Sequence, residues 1–252
     1  MFKAYEGFKV LTCLRRSVVV GLLLGAVLAG PTANADICKA PFMHNDGRLL
    51  LTGSGLFRVG ADLSFTDVKT PSKGRCEARV AGSANFAFMA FPSSETELDY
   101  SMQVEKGLAS FQNIEADGQL TPVEGQFDLR LLGLFAYGQP IRESGQTFAP
   151  QAFKIQVDTK NPDAAPIVVH TGLKTVGSKE TIKTAAGEQA CWPIHYKREI
   201  EAVQISLGGL KMPLPAMASQ VTDWFCPDLN MVMKQESVQA GVTSVIEVVG
   251  IH

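Results

Sequence analysis

The segment at 187–199, GEQACWPIHYKRE, brings four chemically distinctive side chains within six positions: Cys191, Trp192, His195 and Tyr196. A thiol and an imidazole at such short spacing are typical of metal ligands and of redox or nucleophilic sites. Strand alternation gives a second interpretation, in which Trp192 and Tyr196 face a core and His195 faces water. Gly187, in the preceding AAGE stretch, suits a tight hairpin turn. We predict a strand that follows a turn, with a structural role for Cys191.

Residues 1–35 have the composition of an export signal. Basic residues come first, an uninterrupted apolar run follows at 17–30, and small residues stand at Ala33 and Ala35 with the spacing that signal peptidase recognises. The apolar run is shorter than the ~20 residues of a membrane-spanning helix, which weighs against a retained anchor. We therefore predict a cleaved signal peptide at 1–35 and a single periplasmic β-domain at 36–252.

Of the five cysteines, four follow the predicted signal peptide: Cys38, Cys76, Cys191 and Cys226. An even number of cysteines in an exported protein indicates disulfides, and four cysteines allow three pairings. The sequence-local pairing, Cys38–Cys76 with Cys191–Cys226, is favoured. Each bond would then close a loop of about 35 residues and contribute roughly 3–4 kcal/mol on the chain-entropy model.

The charge of the chain weighs against a nucleic-acid partner. The whole sequence has a formal net charge of −2. Residues 1–35 hold four of the 23 basic and one of the 25 acidic residues, so residues 36–252 carry a net charge of −5. The sequence also contains no basic patch interleaved with aromatic residues, which a nucleic-acid surface would need.

Period-two alternation of apolar and polar residues recurs along the chain. It is clearest at 98–105, 126–131 and 153–158, and it is typical of antiparallel strands with one face on a core. Its phase changes near Ala202, which indicates a bulge or bend. The best candidate for a short helix or loop is LPAMASQVTDWF at 214–225. The sequence thus predicts an all-β protein with few short helices, built as a sheet, a sandwich or a barrel.

Two motifs resemble a known family. They are TVGSKETIKTAAGEQACWPIHYKREIEA, where a strand leads through a turn into a second strand, and TDWFCPDLNMVMKQES, where an aromatic pair and a proline precede an apolar strand. Residues 167–249 resemble the TapB-like domain of unknown function, a family of bacterial periplasmic proteins. The sequence departs from the family pattern at Ala186, where the family often has proline, and at its cysteines. The resemblance implies a curved antiparallel sheet or half-barrel related to lipoprotein-carrier folds, and it supplies no catalytic residue.

Large apolar side chains on the predicted strands could line one face of such a sheet as a groove. The candidates are Phe86, Phe88, Tyr100, Met102, Phe127, Phe153, Trp192 and Trp224. A groove of this kind would suit an acyl chain or an apolar segment of a partner. Alternatively, the same side chains pack against one another as a filled core.

Catalytic and metal-binding signatures are absent from the sequence. Neither a nucleophile elbow, a zincin helix, a phosphate-binding loop nor a C-x-x-C pair occurs. Methionines such as Met231 and Met233 could bind copper, but a core role is favoured. Asp128 and Glu199 could serve a hydrolase, but alternation places both on the solvent face. We predict no enzyme activity, no catalytic residue, no metal and no cofactor.

These observations favour a non-enzymatic periplasmic protein that binds a lipid or another apolar ligand, or that assists envelope assembly. The alternative is a structural or interaction module with a closed β core that binds another envelope protein. The sequence leaves the oligomeric state open.

Overall fold

The period-two alternation of the sequence is present in the strands and separates core from surface. The computed structural model describes residues 36–55, 57–88, 95–105, 108–123, 137, 140–155, 165–207 and 210–252. All of these belong to one compact unit. The predicted signal peptide at 1–35, and the candidate residues Phe127 and Asp128, lie outside the described residues.

The described part of the N-terminal half begins with a 3₁₀ turn and contains eight strands. The turn is Ile37–Lys39, and the strands are β1 (Gly47–Ser54), β2 (Phe57–Ser72), β3 (Arg75–Phe88), β4 (Glu95–Glu105), β5 (Leu108–Ile114), β6 (Leu120–Pro122), β7 (Thr147–Phe148) and β8 (Gln151–Ile155). Among the described residues, no helix has the length and hydrophobicity needed to span a membrane.

The C-terminal half adds nine strands. They are β9 (Ile167–Thr171), β10 (Lys174–Val176), β11 (Glu180–Thr184), β12 (Gly187–Ile200), β13 (Val203–Leu207), β14 (Leu210–Leu214), β15 (Met217–Cys226), β16 (Met231–Gln239) and β17 (Val242–Ile251).

Fifteen of the described strands form one curved, open antiparallel sheet, which confirms the predicted fold class. The order from one end is β6, β5, β4, β3, β2, β1, β17, β16, β15 and β12. The other edge of β12 pairs in turn with β9, β10 and β11, while β8 joins β9 and β7 joins β10. Because β1 pairs with β17, the first and last of the described strands meet inside the sheet.

The core lies on one face of the sheet, which we call the inner face. Directly opposed residues of antiparallel neighbours share a face. The buried pairs that mark the inner face are Leu51–Val248, Leu49–Leu63, Phe65–Val80 and Ala78–Met102. The opposite, outer face carries exposed ion pairs such as Arg79–Asp99, whose Nη2 and Oδ2 atoms are 2.6 Å apart.

The segment before β1 covers part of the inner face. A disulfide joins Cys38 to Cys76, which lies on β3 opposite the buried Val104. Phe42 is fully buried, and its ring centre lies 4.7 Å from that of Phe65. The disulfide and the aromatic contact together hold a non-strand segment against the core.

A second disulfide, Cys191–Cys226, links β12 to β15 with a Cα–Cα distance of 4.1 Å. The two bonds therefore follow the sequence-local pairing. β15 covers most of the segment 214–225, so the short helix or loop predicted there is wrong. Alanine and methionine favour helices, but β15 is hydrogen-bonded to β12 on one side and β16 on the other, and this pairing outweighs local propensity.

Two local predictions agree with the structure. β11 and β12 form a hairpin in which Thr184 opposes Gly187, and Gly187 has a φ of 90°, a conformation that favours glycine. At 201–202 the chain leaves the large sheet, and β13 and β14 form a separate two-stranded sheet. The phase change near Ala202 therefore marks a break between two sheets.

Candidate functional site

Six polar side chains gather on the inner face near the middle of β12. We call them the buried polar cluster: Tyr137, Lys174, Tyr196, Arg198, Asp223 and Gln235. Their strands bring them together, because Asp223 of β15 opposes Ile194 of β12 on one side and Gln235 of β16 on the other. Asp223 and Lys174 have exposed fractions of only 0% and 3%. A buried group of this kind needs internal partners.

Asp223 accepts the central hydrogen bonds of the cluster. The Tyr137 hydroxyl donates to Asp223 Oδ2 at 2.7 Å, and Gln235 Nε2 donates to Asp223 Oδ1 at 2.8 Å. Arg198 Nη2 in turn donates to Gln235 Oε1 at 2.8 Å and to the Tyr196 hydroxyl at 3.2 Å. The hydrogen bonds thus connect Tyr137, β15 and β16 to β12.

Lys174 lies between two aromatic rings. Its Nζ atom is 4.7 Å from the ring centre of Tyr137 and 4.6 Å from that of Tyr196. Burial lowers the pKa of Lys174, the positive charge of Arg198 adds to that effect, and the negative charge of Asp223 opposes it. The faces of the two rings add to the compensation that Asp223 provides for an ammonium group in the core.

Both tyrosines of the cluster remain neutral phenols at ordinary pH. Burial raises the pKa of Tyr137 well above its usual value, and the nearby charge of Asp223 raises it further. The same two causes, in the same order, raise the pKa of Tyr196. Neutral hydroxyls, a guanidinium and a buried amine can donate hydrogen bonds to an anion.

Sequence analysis did not identify this cluster, although one signal was present. On β12, Trp192, Ile194 and Tyr196 occupy alternate positions on one side of the strand, and Arg198 takes the next position on that side. On β15, Asp223 lies at the alternate position between the buried Val221 and Phe225. A charged residue in the apolar phase of a strand indicates a buried polar site. Which charges meet depends on strand register, which the pattern does not reveal.

The predicted groove residues separate into different environments. Tyr100 and Met102 have exposed fractions of 1% and 0% within the core, and Tyr100 packs edge-on to Phe111. Phe153 is partly buried on β8, opposite the buried Val169. Phe86 and Phe88 belong to β3, but their side chains lie outside the described part of the structure, as does Phe127.

The two tryptophans do not share a face. Trp192 opposes Phe225 on the inner face, whereas Trp224 opposes Pro193 on the outer face. Trp224 Nε1 donates to Glu180, and Lys234 Nζ lies 4.9 Å from its ring centre. Both tryptophans are partly buried and pack against the core cluster, but they reach it from opposite sides of the β12–β15 pair.

An open cleft with a volume of about 770 Å³ lies beside the ends of β8, β9, β12 and β15. Its lining combines apolar side chains with two pairs of polar side chains. His170 Nε2 lies 2.6 Å from Glu201 Oε1, and Lys197 forms an ion pair with Glu199.

The candidates for hydrolytic and metal chemistry do not converge. Glu199 is exposed, and its pKa is lowered by the hydrogen bond from Lys197. His195 is also exposed and lies near Thr222, with Nδ1 3.1 Å from Oγ1. Within the described ranges, no group of three His, Cys, Asp or Glu side chains is arranged to hold a metal ion. Met231 and Met233 are buried in the core.

Comparisons with known proteins give structural neighbours only. No family model matches the sequence, and no curated protein is significantly similar to it. The resemblance of residues 167–249 to the TapB-like family remains a prediction.

Three solved structures are similar to the chain. A proposed lipoprotein from Parabacteroides distasonis matches with a TM-score of 0.50 and 12% identity over 85% of this chain and 99% of its own. A proposed exported protein with a YmcC-like fold from Bacteroides fragilis matches with a TM-score of 0.48 and 10% identity, over 83% of this chain and 96% of its own. The hypothetical lipoprotein YmcC from Escherichia coli matches with a TM-score of 0.33 and 9% identity, over 86% of this chain and 88% of its own. The Parabacteroides match shows a shared fold.

Proposed function

We propose that the protein is a non-enzymatic protein of the periplasm that acts as an interaction module for another envelope protein. The observation that carries this proposal is the burial of Tyr100 and Met102, which pack within the core of the sheet instead of lining an open groove. An acyl chain bound at that position would have to displace core side chains, at the cost that close packing imposes. The closed-core alternative is therefore favoured over the apolar carrier.

Further features support a non-enzymatic role in the periplasm. The export signal at 1–35 and the two disulfides suit an oxidising compartment. The proposed lipoprotein that shares the fold is consistent with an envelope location. The candidates for hydrolytic chemistry do not meet, because Glu199 pairs with Lys197 and His195 lies beside Thr222.

We expect the partner to bind at the cleft beside the ends of β8, β9, β12 and β15, because this cleft combines volume, exposure and apolar side chains. Ile200, Ala216 and Ala218 form part of its lining, and Ala216 and Ala218 are exposed. A partner side chain inserted there would bury this surface, and the paired charges at the rim would fix its orientation.

Photo-crosslinking in cells tests this proposal. A photo-reactive amino acid at position 218 is expected to give one protein adduct of defined mass, and the complex is expected to survive purification. The same group at Ala185, an exposed turn residue between β11 and β12, is the matched control and is expected to give none. A lipid adduct at 218, or lipid in stoichiometric amount in the purified protein by native mass spectrometry, would support the carrier and contradict the module.

A further inference from the structure

The buried polar cluster has an excess of positive charge. It holds two cations, Lys174 and Arg198, and a single carboxylate, Asp223, whose two oxygens already accept from Tyr137 and Gln235. Neither cation forms an ion pair within 4.0 Å with a carboxylate of the described residues. Buried charges are normally paired, so this arrangement is incomplete as a purely structural network.

The two cations also have donors to spare. Lys174 Nζ makes no hydrogen bond to any described residue, and Arg198 uses only Nη2, which leaves Nε and Nη1 available. Both cations lie against one ring, with Lys174 Nζ 4.6 Å and Arg198 Cζ 5.9 Å from the centre of Tyr196. Both cations therefore lie close to the same side chain of β12.

We propose that the buried polar cluster binds one small oxyanion group, a carboxylate or a phosphate, between Lys174 and Arg198. Arg198 supplies planar donors that match two oxygens, and Lys174 supplies a point charge. Tyr137, one of the two rings beside Lys174, is itself held by edge-on contacts with Phe148 and Phe225, with ring centres 5.5 and 6.2 Å away.

The electrostatics of Lys174 support this site. Burial lowers its pKa, and the charge of Arg198 lowers it further, against the opposing charge of Asp223. A bound anion opposes both effects and favours the ammonium form. By linkage, an anion that binds the charged form tighter than the neutral form raises the pKa of Lys174. This anion site lies in the interior of the protein and is independent of the partner that we propose at the cleft.

Calorimetric titration of the native protein at constant ionic strength tests the site, with sodium acetate, inorganic phosphate and sodium octanoate as probes. We expect saturable binding of at least one probe. Lys174→Met, which keeps an apolar chain of similar length, is expected to weaken it at least tenfold. Lys179→Met is the matched control, because Lys179 also lies over an aromatic ring, 4.9 Å from that of Trp192, but is exposed. It is expected to bind as the native protein does.

The three probes distinguish the source of the anion. If octanoate binds at least tenfold more tightly than acetate, the bound group is the carboxylate of an apolar ligand. If octanoate and acetate bind equally, or if phosphate binds most tightly, the bound group is a free small anion. All three results support the site. Absence of saturable binding for every probe overturns it, and so does equal binding by the native protein and Lys174→Met.

A second measurement keeps the test valid if Lys174→Met does not fold. The pKa of Lys174 in the native protein is measured by NMR of the lysine side chains, with and without saturating probe. We expect a rise of at least one unit, which corresponds to a tenfold difference in affinity for the two protonation states. An unchanged value overturns the proposal.

Discussion

Asp223 is the residue on which the interior polar network depends. It is fully buried, it is the single carboxylate of the cluster, and it accepts hydrogen bonds from side chains on both sides. Without its charge, the Tyr137 hydroxyl loses an ionic acceptor and two nearby cations lose their nearest compensating group. The cost of such a change is large because water cannot replace the missing partner.

At this scale we expect Asp223→Asn to lower the free energy of unfolding by about 3–5 kcal/mol, the range for removing one partner of a buried charged network. The control is Asp228→Asn in the exposed turn between β15 and β16, where a change within about 0.5 kcal/mol is expected. Urea unfolding monitored by tryptophan fluorescence measures both. A loss below about 1 kcal/mol for Asp223→Asn would mean that the network is not cooperative.

The two disulfides close loops of similar length but hold different kinds of elements. Their sequence separations are 38 and 35 residues, so the chain-entropy model gives each about 4 kcal/mol. Cys191–Cys226 joins two strands that are already paired over nine residue pairs. Cys38–Cys76 instead attaches a segment with only a 3₁₀ turn of its own to the inner face. The local consequences of losing them must therefore differ.

We expect Cys38→Ala with Cys76→Ala to release residues 36–46 at little cost in backbone hydrogen bonds. Hydrogen exchange measured by mass spectrometry is expected to show loss of protection there, while β12 and β15 keep theirs. The matched variant, Cys191→Ala with Cys226→Ala, is expected to lose similar global stability but to leave 36–46 protected. Equal protection of 36–46 in the two variants would refute this distinction.

At the scale of the whole molecule, the core begins directly after the predicted cleavage point. Asp36 and Ile37 are both buried, with exposed fractions of 8% and 4%, and Cys38 carries the first disulfide. Folding of the domain that follows the predicted cleavage point therefore involves its first residues. This arrangement couples the position of cleavage to the packing of the N-terminal segment.

We predict that the chain is cleaved after Ala35. N-terminal sequencing of the exported protein is expected to begin at Asp36, because signal peptidase requires small residues at the first and third positions before the cut. Ala35→Leu is expected to leave the full-length chain uncleaved, whereas Ala29→Leu, within the apolar run, is expected to be processed normally. Normal processing of Ala35→Leu would place the cleavage point elsewhere.

The sequence by itself determined the class of fold and several local features. Alternation in segments such as 98–105 reports one buried face, because side chains of a strand point alternately to its two sides. Gly187 located the β11–β12 turn because few other residues adopt its positive φ. Near Ala202, where the chain leaves the large sheet, the change in phase of the apolar alternation indicated a bulge or bend. These signals are local, so one sequence is enough to read them.

Only the tertiary structure decided which residues meet. Trp192 and Trp224 lie on opposite faces, and 214–225 is mostly strand, because cross-strand register and pairing on both sides override local pattern and propensity. The buried polar cluster likewise draws on Tyr137 and four separate strands, with up to 86 residues between hydrogen-bonded partners. Alternation orients side chains within a strand, but register between distant strands is a property of the whole sheet.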